Sequence, residues 1–214
     1  MFKYLIFGPF LFLVFTTDVK TRPISYPNGW TIMQMNDVNK NSVHIHLSPS
    51  VKYSLGYRAE YWRKKEWQFH GAQFNYLINR INTSKSQSNF YIRNGVGVAL
   101  SNYKHFQNKV LPSFFTGLLF DWENRNYFVS YENRINNSLS IEKFYQQKLR
   151  FGLAPYIGKY GDLHTWFMFQ IDHMPNSSDN LVFTPFVRIF KGDYLAEIGL
   201  SYHNDFMFNF IKRF

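Results

Sequence analysis

The sequence predicts an all-β fold, a transmembrane antiparallel β-barrel of about twelve strands, with ten as the lower bound. Three observations carry that expectation. Long stretches alternate apolar residues with polar or small ones. Short and long connections follow one another in turn. The chain of 214 residues also finishes on "NDFMFNFIKRF", with phenylalanine at every second position and a large apolar ring as the last residue. A soluble domain usually leaves its last residues to fray in water.

Alternation is clearest in "VKYSLGYRAEYW", where Val51, Tyr53, Leu55, Tyr57, Ala59 and Tyr61 oppose Lys52, Ser54, Gly56, Arg58 and Glu60. Successive side chains of a strand point to opposite faces, so this reads as one strand with an apolar and a polar face. In "NFYIRNGVGVALS", Phe90, Ile92, Val96, Val98 and Leu100 oppose Tyr91, Arg93, Gly95, Gly97, Ala99 and Ser101. In "QKLRFGLAPYI", Leu149, Phe151, Leu153 and Ile157 oppose Lys148, Arg150, Gly152 and Ala154. Tyr194, Ala196, Ile198, Leu200 and Tyr202 oppose Glu197, Gly199 and Ser201. The strands expected from such patterns lie near 29–36, 42–48, 51–62, 67–81, 88–101, 113–122, 127–135, 145–157, 164–173, 181–190, 194–203 and 205–214. Several are about ten residues long, which is what a tilted strand needs to cross a bilayer.

The links add an independent signal. "SPS", "ENRN" and "KGD" are short, while "RKKE", "NYKHFQNKVLPS", "NNSLSIEK" and "HMPNSSDN" are longer or more polar. Barrels of the outer membrane have short turns on the periplasmic side and longer loops outside. The links at 82–87 and 158–163 are longer than this rhythm asks, and "HND" is shorter. Residues 1–17 pair an early lysine with a short apolar run, as a secretory signal does, and 18–28 form a lead-in to a barrel over 29–214.

The closing "FMFNFIKRF", with Phe206, Phe208, Phe210 and Phe214 on one parity, resembles the last strand of bacterial outer-membrane β-barrels. Lys212 stands where that class usually has an aromatic. The resemblance implies a bacterial outer-membrane location and a terminal aromatic signal read by the barrel assembly machinery. Outer-membrane lipids and lipopolysaccharide are the other implied partners, and a monomer is the default state.

A soluble sandwich or lipocalin-like barrel would also alternate, with its apolar face inward. Here the other face combines Gly, Ser, Ala and charges, a poor dry core because unpaired buried charge is costly. The apolar face is therefore expected outside. Aromatic girdles are expected from Tyr61, Trp67 and Tyr202 at one rim and Trp122, Tyr127, Tyr194 and Phe214 at the other.

The formal charge of +10 with no nucleic-acid-binding motif points to phosphate-rich headgroups rather than nucleic acid. Arg63, Lys64 and Lys65 in "YWRKKEW" are placed to meet them. Cys is absent, which excludes disulfides and thiolate chemistry. By parity the lumen should carry His44, His46, Lys52, Arg58, Glu60, Arg93, Asp121, Glu132, Arg134, Lys148, Arg150, His164, Gln170, Asp172, Arg188, Glu197, Asn209 and Arg213, with bases in excess. That pattern suits either ion pairs that fill and stiffen the barrel or a narrow channel with a positive field. Two other readings stay open. His44 and His46 share a face and lie near Met33 and Met35, as a copper-type site would require. A lipid-modifying hydrolase would draw on Ser130, Glu132, His164 and Asp172, although no G-x-S-x-G signature is present and no cofactor is implied.

If the last strand is also the assembly signal, deleting Phe214 should lower the amount of protein inserted in the membrane several-fold. Heat-modifiable gel migration and membrane fractionation would measure it. Normal insertion without Phe214 would refute the assignment.

Overall fold

The computed structural model describes residues 24–102, 108–159 and 161–214; the expected signal at 1–17 and the first part of the lead-in lie outside them. Twelve strands succeed one another in chain order. They are β1 (Gly29–Asn36), β2 (Lys40–Ser48), β3 (Tyr53–Trp62), β4 (Trp67–Asn82), β5 (Ser86–Ser101) and β6 (Lys109–Asn124). Then come β7 (Tyr127–Asn137), β8 (Lys143–Leu153), β9 (His164–His173), β10 (Leu181–Lys191), β11 (Tyr194–Leu200) and β12 (Phe206–Arg213).

Each strand pairs antiparallel with its neighbours in sequence, and β1 pairs with β12 to close the barrel. The closing register sets Thr31 against Arg213 and Asn36 against Phe208. Phe214 completes the seam by exchanging both backbone hydrogen bonds with Trp30, at 3.0 and 3.2 Å. Closure leaves no edge strand with unpaired N–H and C=O groups, the condition for a sheet to sit in lipid.

Strand lengths are uneven. β4, β5 and β6 each run 16 residues, whereas β1, β11 and β12 run 8, 7 and 8. β6 starts at Lys109 and passes through Pro112, four residues before the expected start. β8 stops at Leu153, ahead of the Ala154-Pro155 step. β11 stops at Leu200 because the Ser201 carbonyl accepts the Asn204 amide at 2.9 Å and starts a turn. A bulge at Ile78 breaks the β4–β5 register between Leu77 and Asn79. An extra residue in one strand inverts the facing of the residues beyond it. Arg80 therefore reaches inward to Asn89 and Tyr91.

All connections fall at two ends. Among the described residues, 37–39, 63–66, 102, 108, 138–142, 174–180 and 201–205 form the loop end. Described residues 49–52, 83–85, 125–126, 154–159, 161–163 and 192–193 form the turn end, where β1 begins and β12 ends. Only 154–163 departs from the pattern of short links at that end.

Aromatic clusters occupy the interior near both ends. At the loop end Trp62 and Trp67 stack at 5.5 Å, Phe144 lies 4.6 Å from Trp62, and Phe69 meets Phe115 edge-on at 5.6 Å. Trp67 was expected in the outer girdle, but it is 1% exposed and turned inward. The reason is register: Trp62 and Trp67 face each other across the β3–β4 hairpin on the inward parity, and stacking buries both rings. At the turn end Ile24, which precedes β1, packs on Leu77 and Tyr91. A third cluster, Trp166, Met168, Phe186 and Met207, lines the β8–β12 side.

The outer wall is apolar along its length. Val96 is 66% exposed, Phe167 56% and Ile198 49%, far more apolar surface than a soluble monomer shows to water. Tyr61 and Tyr202 stand exposed at the loop end, and Trp30, Tyr127, Tyr194 and Phe214 at the turn end.

Gly95 is required by this packing, since a Cβ there would run into the ring of Phe115. Gly95→Val is expected to destabilise the barrel by about 1–3 kcal/mol through overpacking. The check is the urea midpoint of refolded protein, and an unchanged midpoint would mean the ring is free to move.

Candidate functional site

The interior of the barrel is the candidate site. Its inward positions carry carboxylates, guanidinium and amide groups in bonded sets, and several sets cross the lumen between strands that are not neighbours. Glu60 on β3 is the most connected group. It accepts from Arg58, from Arg134 on β7 at 2.7 Å and from the Trp62 indole at 3.3 Å, with Lys40 on β2 at 3.3 Å. Glu60 is 2% exposed, so only this number of cationic partners makes its burial tolerable.

Arg134 spans the lumen between sheet neighbourhoods. Its guanidinium also sits 4.0 Å over the Phe115 ring and donates to Asn136 at 3.0 Å, which passes to Ser138 and Ser113. The polar network is thus seated on the aromatic cluster of the loop end. On the β3–β4 wall, Arg58 donates to Gln73 at 2.9 Å, Gln73 to Asn75 at 2.7 Å and Asn75 to Ser54 at 2.8 Å.

Three more sets complete the lining. Glu197 on β11 accepts from Arg188 at 2.7 Å and Asn209 at 2.6 Å, and Arg150 lies 3.4 Å away. Arg93 on β5 pairs with Glu132 on β7 at 2.5 Å. Lys148 on β8 lies 3.3 Å from Asp37 and 3.5 Å from Asp172. Asp37 belongs to the β1–β2 loop, which folds into the barrel, leaving Asp37 only 7% exposed. Between the sets lies a cavity of about 150 Å³, lined by residues that include Asp37, His44, Arg58, Arg93, Glu132 and Lys148.

Most of the residues expected in the lumen point into it, namely Arg58, Glu60, Arg93, Asp121, Glu132, Arg134, Lys148, Arg150, Gln170, Asp172, Arg188, Glu197, Asn209 and Arg213. Lys52 does not. β3 begins one residue later, which leaves Lys52 exposed in the turn before it. His164 sits at the turn end with its ring stacked on Phe190 at 4.6 Å. Phe206 and Phe214 are exposed on the outer face, with Phe208 and Phe210 half-buried between them.

Four charged groups on the inside, Lys40, Asp37, Arg80 and Glu123, were absent from the expected row. Lys40 starts β2 two residues earlier than expected, Asp37 enters from a loop, and Arg80 is turned in by the bulge. With Glu123 also on the cavity wall, the carboxylates are Asp37, Glu60, Asp121, Glu123, Glu132, Asp172 and Glu197. The cations are Lys40, Arg58, Arg80, Arg93, Arg134, Lys148, Arg150, Arg188 and Arg213. Among the described residues the lumen is therefore close to balanced, nine cations against seven carboxylates.

The hydrolase constellation is not assembled. Glu132 is engaged by Arg93, and Asp172 by Lys148 and Gln170, so neither carboxylate orients His164. The basic hairpin also finds partners within the chain. Arg63 donates to the Asp37 and Val38 carbonyls and to Asn41, Lys64 pairs with Asp179, and Lys65 with Glu142 at 2.7 Å. Those cations tie the loops of the outer rim together. Among the described residues no group of three or more His, Cys, Asp or Glu is arranged to hold a metal ion.

No protein-family model matches this chain, and no curated protein matches it. Among solved structures, the KdgM porin in complex with disordered oligogalacturonate aligns with a TM-score of 0.47 and 9% identity. The alignment covers 86% of this chain and 96% of that one.

The clasp on the β1–β2 loop is sensitive to acid. Burial alone would raise the Asp37 carboxyl, but Lys148, Lys40 and the amides of Asn39 and Lys40 outweigh it and hold it at about 2, below the ordinary 3.8. A group depressed on folding stabilises the fold above its unfolded value and loses that contribution as pH falls through the folded one. Wild-type protein should therefore be more stable than Asp37→Asn above pH 3.8, with the gap closing as pH falls through about 2. Urea midpoints across about pH 2–7 would measure it, and a gap independent of pH would contradict the assignment.

Proposed function

We propose that the chain is a small channel of the bacterial outer membrane, held closed in this conformation by ion pairs that cross its own lumen. The apolar outer wall, the aromatic rims and the closed twelve-strand sheet support the membrane location. A barrel of this size lies between small barrels filled with side chains and wide open porins.

The observation that carries the channel reading is the content of the lumen. Filling a barrel does not call for charges, because well-packed apolar side chains are often as stabilising as buried ion pairs or more so. Here carboxylates and guanidinium groups line the cavity from β3 round to β11. They are the groups that could replace the hydration of an ion or small polar solute once the bridges part. The slight excess of cations supports a weak preference for anions, much less than a lumen rich in unpaired bases would have.

The movable element is the β1–β2 loop. It is short, enters from one end and is fastened across the lumen by Asp37 to Lys148. Asp37→Asn removes that fastening while keeping the side-chain volume. In planar bilayers wild-type protein is expected to show rare, small conductance steps, and Asp37→Asn a several-fold higher open fraction. Silence from both proteins, once insertion is established, would remove the channel reading in favour of a sealed structural barrel. Recovery of the native protein outside the outer-membrane fraction would remove the location.

A further inference from the structure

His44 and His46 are buried on the inner wall, and three of their four ring nitrogens have no hydrogen-bond partner. They are 4% and 1% exposed, yet His44 Nε2 and both ring nitrogens of His46 lack any hydrogen-bond partner. A neutral imidazole carries one donor and one acceptor nitrogen, and leaving either unsatisfied in the interior costs the full desolvation of that group. Single atoms elsewhere in the lumen are also unbonded, among them Thr184 Oγ1 and the Nε of Arg93 and Arg134, but His46 has both of its ring nitrogens unmet.

The opposite strand supplies two thioethers. The β1–β2 register places Met33 directly across from His44, Thr31 across from His46 and Met35 across from Ser42. Directly opposed residues of an antiparallel pair have Cβ atoms about 4.5–5.5 Å apart, and diagonal ones remain within reach of long side chains. Met33 is therefore opposite His44 and diagonal to His46, Met35 is diagonal to His44, and the two imidazole rings are 6.5 Å apart. All four side chains line the same cavity.

We propose that Met33, His44 and His46, with Met35 beside them, form a binding site for a soft monovalent cation of the Cu(I) class. The choice of ion follows from the donors. All four donors are uncharged; the two thioethers are soft and the two imidazoles borderline, and it is the thioethers that favour Cu(I) over Zn(II), Mg(II) or Ca(II). No cluster of three or more His, Cys, Asp or Glu stands among the described residues to offer a divalent ion its usual ligands. The surroundings act in the same direction. Arg58 is registered opposite His44, and Arg93 lines the cavity, so a doubly charged ion meets twice the repulsion of a single charge. Arg58 is itself held by Glu60 and Gln73, which leaves the imidazoles available. The site stands whether or not the lumen conducts.

Refolded protein in detergent would be titrated with Ag(I), a redox-inert stand-in, and with Cu(I) against a chromophoric chelator. One tightly held ion per chain is expected for the wild type. Met33→Leu and Met35→Leu conserve core volume and should each weaken binding at least tenfold, while His46→Gln abolishes the tight site. Heat-modifiable migration of each variant confirms that it has folded. An equal amount of Zn(II) should not displace the ion, and sulfur and nitrogen scatterers should both appear in X-ray absorption of the loaded protein. Binding of the same strength in the Met33→Leu/Met35→Leu/His46→Gln variant would overturn the proposal, as would no tight binding by the wild type. Displacement by Zn(II) would overturn the soft assignment.

Discussion

The pairing of β1 with β12 is the constraint on which the other features rest. Once the Thr31–Asn36 segment is bonded to Phe208–Arg213, every strand has two neighbours and every side chain has only two directions to point. The outward direction in this chain is apolar, so the polar half of each alternating strand must go inward. An open sheet could have left those groups to water at a free face. A closed one gathers them into a narrow space, where each charge has to find a counter-charge.

That crowding explains why the bridges run across the barrel as well as along it. Arg58 can reach Glu60 within one strand, but Arg134 reaches it from β7, and Lys148 reaches Asp37 from β8. Such links join strands that share no backbone ladder. They hold the cross-section in one shape, and they do so at a net stability that desolvation keeps small. The aromatic clusters supply what the ion pairs lack. Phe115 lies under Arg134 and over Gly95, so a single ring joins the charged network to the apolar packing of the loop end.

Much of this was legible in the sequence, because a period of two survives in any strand with unlike faces. The twelve segments, the inward row from Arg58 to Arg213 and the outward row of terminal phenylalanines are set by parity alone. What parity cannot supply is a change of phase or a contact between distant strands. The bulge at Ile78 reverses the facing of Arg80, which no pattern of hydrophobicity marks. Trp67 has the bulk of a girdle residue, and only its register opposite Trp62 turns it in. Lys40 and Asp37 lie at the start of a strand and in a loop, where alternation has no meaning. Asp37 and Glu123 bring the carboxylates of the lumen closer in number to the bases than parity suggests. The partners of Glu60 were equally hidden, because the ring of strands brings β3 and β7 to face each other only after closure.

The division of the inner wall has a consequence for any cation that enters. On β3, β7, β9 and β11, Glu60, Glu132, Asp172 and Glu197 each already hold a cation of the chain. A visiting ion there would have to displace a tethered guanidinium or ammonium that is present at very high effective concentration. On β1 and β2 the thioethers of Met33 and Met35 are uncharged, and His44 Nε2 and both His46 nitrogens have no hydrogen-bond partner. Neutral donors cannot attract an ion from a distance, and the neighbouring Arg58 repels it. Only an ion that gains more from thioether and imidazole bonding than it loses to that repulsion would stay, which is why softness and low charge matter more at this wall than electrostatic attraction.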